Sequence, residues 1–427
     1  MDVIVGAGKT GASCARYLAA RGVPFRVADD NPDAPGMAEI RSLVPDVECA
    51  PVAQAELSNG NRLIVSPGVP LAREEIAEAI RAGVPVTGDV AIFCDEAKAP
   101  FIGVTGSNGK STVTTLLGRM AEADGKRAVA GGNLGTPCLD LLADAIQLYV
   151  IEMSSFQLET AVCPGADVAV LLNVSPDHMD RYPDFAAYRA AKLNIFGGCR
   201  AAVIARGFDV DLDAELWTFG DDPARGLRET GLADGSLLLE GEPVIEEAEL
   251  RVAGRHNVLN VLACLAAGRS AGLGVAAMCE AARSFPGLPH RTEWVAEIDG
   301  VTYLNDSKAT NPGATMAAVQ GFADRPLKLL LGGQSKGADF TALATALLGA
   351  NVEAFVFGED ADVIRRALPA AVTVSSTMRE ALGQARARAR AGDTVLLSPA
   401  CASFDEFSGY AERGDAFAEA VREGSDV

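Results

Sequence analysis

Residues 101–120 read FIGVTGSNGKSTVTTLLGRM, a short apolar strand pattern that passes through a glycine turn into a helix with Val113, Leu116, Leu117 and Met120 at helical spacing. Gly106 and Gly109 let successive backbone N–H groups point inward. Lys110 adds a mobile positive charge, and Ser111 offers a hydroxyl to a metal ion at the positive end of the helix. The arrangement suits a polyphosphate with its magnesium, so ATP or GTP is the expected ligand. The match to G-x-x-x-x-G-K-[ST] is incomplete, because Val104 stands where the first glycine belongs.

A chain of 427 residues divides into two to four domains, each able to bury its own core. Hydrophobic residues at 49% and charged residues at 22% fit a folded protein and exclude a disordered one. No apolar run approaches the ~20 residues that span a bilayer. The start, MDVIVGAGKTG, lacks the basic region and cleavage site of a signal peptide, so a cytoplasmic location is expected. Nine cysteines stand singly with no C-x-x-C pair, which argues for reduced thiols and against a cysteine zinc site. Lys+Arg of 37 against Asp+Glu of 57 leaves a net charge of −20, a field that repels nucleic acid and acidic membrane. Anionic ligands must then be caught by local cations and backbone dipoles.

Residues 1–88 open with a strand at Val3–Val5, the turn GAGKTG, a helix from Ala12 to Arg21 and a second strand ending at Asp29. Gly6, Gly8 and Gly11 form G-x-G-x-x-G with an acid about 20 residues onward, a dinucleotide fingerprint. It allows a nucleotide or its phosphates on this helix terminus without specifying NAD. A later strand, LIVSPGVP, turns at Ser66, Pro67 and Gly68 toward the same sheet edge.

Residues 89–287 alternate strands with helices. After GGNLG at 131–135 the apolar run LYVIE ends in Glu152, placed either to hold magnesium beside the phosphate loop or to serve as an ordinary capping acid. VAVLLNV leads to Asn173 and His178, one of three histidines with His256 and His290. Lys192, beside Tyr188 and Arg189, reads on its own as a solvated helical lysine. Residues 206–249 are acidic and loop-rich with no legible motif, and an amphipathic helix opened by Gly254 follows.

In residues 288–427 the strands VTYLND, LKLLLGG, VEAFVFG and DTVLLSP each end in small or polar residues, as in a parallel sheet that presents its carboxyl edge to a ligand. Asp306, Lys308, Thr310, Lys336 and Ser403 stand at those edges. The Arg386, Arg388, Arg390 alternation reads as a solvated helix end that suits the dipole.

Taken together, TGSNGKST, EMSSFQLE, NVSPDHMDRY, YRAAKLNIF, GRHNVLN, GLPHR, NDSKATNPGA, GGQSKGADF and SPACASFDEF, spread over nearly the full length, resemble the Mur ligases. The resemblance implies an α/β fold of three domains: an N-terminal Rossmann-like domain for a UDP sugar (1–88), a central P-loop ATPase-type domain (89–287) and a C-terminal Rossmann-like domain for the amino acid (288–427). It implies that ATP phosphorylates the alanyl carboxylate of UDP-N-acetylmuramoyl-L-alanine, and that the amine of D-glutamate attacks the acyl phosphate.

Carried over residue by residue, Gly8, Lys9, Thr10, Asp29, Gly68, Asn133 and His178 would meet the UDP substrate, and Gly106, Ser107, Asn108, Gly109, Lys110, Ser111 and Thr112 with Asn260, Arg291 and Asp306 would meet ATP. Lys110, Glu152, His178, Lys192 and Arg291 would be catalytic. Two magnesium ions would be served by Ser111, Glu152 and His178, with Lys192 carbamylated to an anion, which overrides its solvated-helix reading. Lys308, Thr310, Lys336, Ser403 and Tyr410 would form the D-glutamate pocket, two lysines answering two carboxylates. A monomer that closes its domains in turnover is expected.

Two departures stand out: the lead-in to the first strand is short, which predicts a weak sheet edge there, and Asn31 stands where some members place a basic residue. A dehydrogenase would use GAGKTG alone and leave the phosphate loop idle. A nucleotide-binding switch protein would release no phosphate in response to an amino acid, whereas a sister ligase or a folate-polyglutamating enzyme would share the phosphate loop. Nothing in the residues reads D against L chirality.

Overall fold

The computed structural model describes residues 1–175, 178, 181–252, 254–322, 325–368 and 372–423. Four residues of the NVSPDHMDRY motif, Pro176, Asp177, Met179 and Asp180, lie outside the described residues.

Among the described residues three sheets organise the chain, in keeping with a three-domain α/β fold. The first is wholly parallel, in the order Cys49–Ala50, Phe25–Ala28, Asp2–Val5, Leu63–Val65, Val86–Thr87. The opening strand therefore lies at the centre and all four of its residues are buried, which corrects the weak edge expected from the short lead-in. Pairing on both flanks, not length before the strand, fixes it. The adjoining helix is Lys9–Ala20, starting inside the glycine turn and three residues earlier than the apolar pattern suggests. A Cβ on Gly11 would run into the carbonyl of Gly6, so glycine alone allows this helix so close to the strand end.

The second sheet has nine strands, in the order Glu242–Glu246, Ser236–Leu239, Glu229–Ala233, Glu215–Phe219, Ala201–Ala205, Val168–Leu171, Phe101–Thr105, Leu148–Glu152, Ala128–Gly132. The phosphate-loop strand Phe101–Thr105 sits where the chain order reverses, the position at which open parallel sheets bind ligands. Register sets Val104 beside Glu152 and Thr105 beside Leu171, so three strand ends finish level with the loop. The segment 206–249, read as loops and turns, extends this sheet, its last two strands pairing antiparallel. Strands of four or five residues broken by turns carry too little periodicity to be told from loop.

The helix Arg255–Ser270 also departs from its amphipathic reading, because Val261–Gly268 are all buried. The carbonyl of Leu262 accepts from Thr230 Oγ1 on the sheet, and the Cys264 thiol donates to the carbonyl of Val113 on the phosphate-loop helix. Alanines and glycine at 263, 266, 267 and 268 let neighbours approach from every side.

The third sheet runs Glu293–Ile298, Val301–Asn305, Thr394–Leu397, Leu327–Gly332, Val352–Phe357, Val372–Val374, parallel except for its first pair. By density of contacts the chain forms two compact units, 1–247 with 259–282, and 248–258 with 283–427. The first two sheets lie in the first unit and the third in the second. Arg388 is exposed in the last turn of its helix, as read from the sequence, and it also pairs with Glu353 at 2.6 Å and lies over the Phe355 ring. All nine cysteines are free thiols, and among the described residues no helix is long and apolar enough to cross a membrane.

Candidate functional site

In the first unit the phosphate loop is braced before any ligand arrives. The Asn108 N–H donates to Asn173 Oδ1 at 2.9 Å, and Asn173 Nδ2 returns a bond to the Asn108 carbonyl at 3.1 Å. Ser107 Oγ meets the Tyr188 hydroxyl at 3.0 Å and accepts from the Ser175 N–H. Lys110 Nζ donates to the carbonyls of Gly106 and Ser107, and Lys192 Nζ to Gly106 at 2.8 Å. Two lysines thus converge on one turn, Lys192 from a nearly fully buried position over the Tyr188 ring. This corrects the solvated-helix reading of Lys192 taken alone. Gly109 has φ +85°, and a Cβ there would collide with Asn260 Oδ1, which places Asn260 against the turn.

Glu152 is 2% exposed at the end of its strand. Its Oε1 accepts from Asn133 Nδ2 at 2.6 Å, and the Asn133 N–H donates to the Glu152 carbonyl at 2.9 Å. Its Oε2 has no hydrogen-bond partner among the described residues. A buried carboxylate oxygen left open costs stability unless a cation completes it. His178 has φ +56°, with its ring 4.9 Å from Phe156 and 6.2 Å from Tyr188. Arg181 was absent from the site read in the sequence. It donates to the carbonyls of Pro67 and Val69, pairs with Glu159 at 3.3 Å, and so ties the Gly68 turn to this cluster.

At the first sheet, Gly8 caps the helix that Lys9 and Thr10 begin. Lys9 Nζ reaches the carbonyl of Gly135, drawing the first glycine turn against the 131–135 loop. A cavity of about 390 Å³ lies here, lined by Lys9, Arg16, Gly36, Glu39, Thr136 and Asp140. Asp29 turns inward, accepting from the N–H of Ala7 at 2.6 Å and of Asn31 at 2.8 Å. Asp30, beside it, is paired with Arg73, which brings a cation to the loop where Asn31 supplies none.

The second unit gathers the remaining residues. Asp306 accepts from Ser398 Oγ at 2.8 Å and from the Thr292 N–H at 3.1 Å. Burial pushes its carboxyl up to about 6, against those bonds and the nearby Arg291. Lys308 Nζ lies 5.2 Å from the Tyr410 ring centre, and Lys336 Nζ lies 5.2 Å from that of Phe404. Lys308, Thr310 and Lys336 are exposed and Ser403 is buried. Phe404, 60% exposed, is a further candidate for this pocket that no sequence signal marked.

The raised carboxyl of Asp306 carries a pH consequence. Its folded value lies above the ordinary 3.8, so between pH ~4 and ~6 the folded protein binds more protons and stability falls as pH rises. Urea unfolding should show a loss of about 2 kcal/mol across that window, absent in Asp306→Asn.

Three family models match the chain in succession. The Mur ligase MurD-like N-terminal domain matches residues 1–88, the Mur ligase middle domain 104–268, and the Mur ligase glutamate ligase domain 290–401. The chain belongs to the Mur ligase family. Curated UDP-N-acetylmuramoylalanine--D-glutamate ligases are similar to this Mur ligase nearly end to end. Those of Pseudomonas fluorescens and Pseudomonas aeruginosa are each 47% identical over 99% of this chain and 97% of theirs, and that of Hahella chejuensis is 46% identical over 98% and 97%. Among solved structures, the UDP-N-acetylmuramate-alanine ligase MurC of Thermotoga maritima shares the fold at TM-score 0.56, with 19% identity and 99% of both chains covered. The MurF ligase of the same organism, in complex with ADP, aligns at TM-score 0.54, with 16% identity over 95% and 96%.

Proposed function

We propose that this Mur ligase joins D-glutamate to UDP-N-acetylmuramoyl-L-alanine at the expense of ATP, in peptidoglycan precursor synthesis, acting in the cytoplasm as a monomer. The observation that carries the ATP chemistry is Glu152: a buried carboxylate level with the phosphate loop, one oxygen held by Asn133 and the other without a partner among the described residues.

The reaction brings two anions together, the γ-phosphate of ATP and the alanyl carboxylate, so cancelling charge dominates the barrier. Lys110 neutralises phosphate oxygens, the N–H groups of residues 106–112 cradle them, and Arg291 adds a second cation. Asn260 and Asp306 serve the adenine and ribose of ATP. Gly8, Lys9, Thr10, Asp29, Gly68, Asn133 and His178 hold the UDP substrate, Asp29 through the loop it braces. The carboxylate oxygen attacks the γ-phosphorus and ADP leaves. The D-glutamate amine then attacks the acyl carbon, and the tetrahedral intermediate expels phosphate to leave the amide. Lys308, Thr310, Lys336, Ser403 and Tyr410 orient that amine by binding its two carboxylates.

The open oxygen of Glu152 fits a hard cation. Among the described residues no three His, Cys, Asp or Glu side chains form a ligand cluster, which suits magnesium, an ion that takes one or two carboxylates and leaves its other positions to phosphate and water. Ser111, Glu152 and His178 would hold it at two sites, and a carbamylated Lys192 would add a carboxylate. Magnesium supplies charge neutralisation on the phosphoryl oxygens. Carbamylation predicts an intact-mass increment of one carbon dioxide under gentle conditions, lost in Lys192→Ala together with activity.

Phosphate release measured with ATP, UDP-N-acetylmuramoyl-L-alanine and a panel of D- and L-amino acids tests the whole scheme. Release that depends on D-glutamate is expected; dependence on a different amino acid would assign a sister activity.

A further inference from the structure

We propose that Arg413 is a positioning residue for the amino-acid substrate, one guanidinium that holds in register the three strand-end loops carrying Lys308, Lys336 and Ser403. The inference rests on the ligase scheme above and adds to it a residue that touches no substrate.

Arg413 lies on the helix Tyr410–Glu423 and is 0% exposed, the largest fully buried side chain described. Its Nε donates to Ser307 Oγ at 3.0 Å and its Nη2 to the carbonyls of Ser307 at 3.0 Å and Cys401 at 3.1 Å. Its Nη1 reaches the carbonyl of Gly332 at 3.4 Å. The acceptors stand at or just beyond the ends of three different strands: Val301–Asn305, Leu327–Gly332 and Thr394–Leu397. Ser307 immediately precedes Lys308, Gly332 begins the turn to Lys336, and Cys401 stands two residues before Ser403. A further tie runs onward from Ser307 Oγ to the carbonyl of Tyr410 at 2.7 Å. Every member of the amino-acid pocket is thus in this network or within four residues of an atom in it.

Packing alone does not account for the residue. A buried guanidinium with no carboxylate ion partner among the described residues is costly, and an apolar side chain of the same volume would serve a core better. Burial draws its pKa down to about 10, with Cys401, Asp405 and Glu406 working against that shift, so it stays charged at neutral pH. Only a planar fork of five donors can reach four acceptors spread over three loops; the compact ammonium of lysine cannot.

The test compares Arg413→Met, Arg413→Lys and the milder Ser307→Ala with the full-length wild type, with Lys336→Ala as a direct-contact reference. KM for D-glutamate should rise about 10- to 100-fold in the Arg413 variants, while KM for ATP and for the UDP substrate stays within about twofold. Amide hydrogen exchange should accelerate together in segments 307–310, 332–336 and 401–403. A uniform loss across all three substrates, or a lowered melting temperature with glutamate KM unchanged, would reduce Arg413 to a structural brace and overturn the proposal. Should Arg413→Met fail to fold, an unchanged glutamate KM in Ser307→Ala would overturn it equally. Absence of D-glutamate-dependent phosphate release in the wild type would sink the ligase scheme instead, and the exchange pattern would still decide whether Arg413 holds the three loops together.

Discussion

Glu152→Gln should lower D-glutamate-dependent phosphate release by about 10²- to 10³-fold, the usual loss when one preorganised electrostatic contact is removed from a water-excluded site. The same substitution should leave the ligand-free protein at least as stable as the wild type. Glutamine keeps the oxygen that accepts from Asn133 and removes a buried charge whose second oxygen has no partner among the described residues. An uncompensated buried carboxylate is a liability of several kcal/mol until a cation meets it. Thermal melts then separate the two roles. Wild type should gain melting temperature when magnesium and ATP are added together, by mass action on the folded state, and the variant should gain much less. A variant that loses stability without ligand and keeps its magnesium response would show Glu152 to be a capping acid, the other meaning its position at a strand end allows.

That choice between capping acid and metal ligand was open in the sequence for a physical reason. The strand LYVIE and its terminal acid were legible from composition and periodicity, but partner count is a property of tertiary contacts: Asn133 lies nineteen residues away on a neighbouring strand end. The phosphate loop was legible because strand, glycine turn and helix are local. The parallel sheets followed from apolar runs ending in small and polar residues. Lys192 was illegible on its own, since a buried lysine and a solvated one look alike on an amphipathic helix, and only the resemblance to a family singled it out. Arg181 and Arg413 gave no signal at all. Each acts by donating to backbone carbonyls far along the chain, and carbonyls carry no sequence identity. The segment 206–249 failed differently: its strands are real but too short for their alternation to rise above turn chemistry.

Gly109→Ala should abolish productive ATP binding while sparing the fold, with nucleotide affinity reduced by about 100-fold or more. Two costs add. Gly109 has φ +85°, a left-handed conformation that charges an L-residue roughly 1–2 kcal/mol. The added methyl would also meet Asn260 Oδ1 and approach Leu172 Cδ1 at 3.2 Å. Asn260 is 7% exposed on a helix buried along Val261–Gly268, so it has little room to withdraw, and the turn must deform in its place. Deformation there is felt at once by the ligand, because the N–H groups that cradle a phosphate are those of the turn itself. Lys110 would follow, since its ammonium is aimed by the carbonyls of Gly106 and Ser107 in the same turn. Titration with a fluorescent ATP analogue measures the loss directly. Pairing Gly109→Ala with Asn260→Ala separates the two costs: relief of the collision should recover part of the affinity, and what remains missing is the conformational strain together with any contact Asn260 makes to the nucleotide. Undiminished affinity in Gly109→Ala would mean that the turn does not bind phosphate in this conformation.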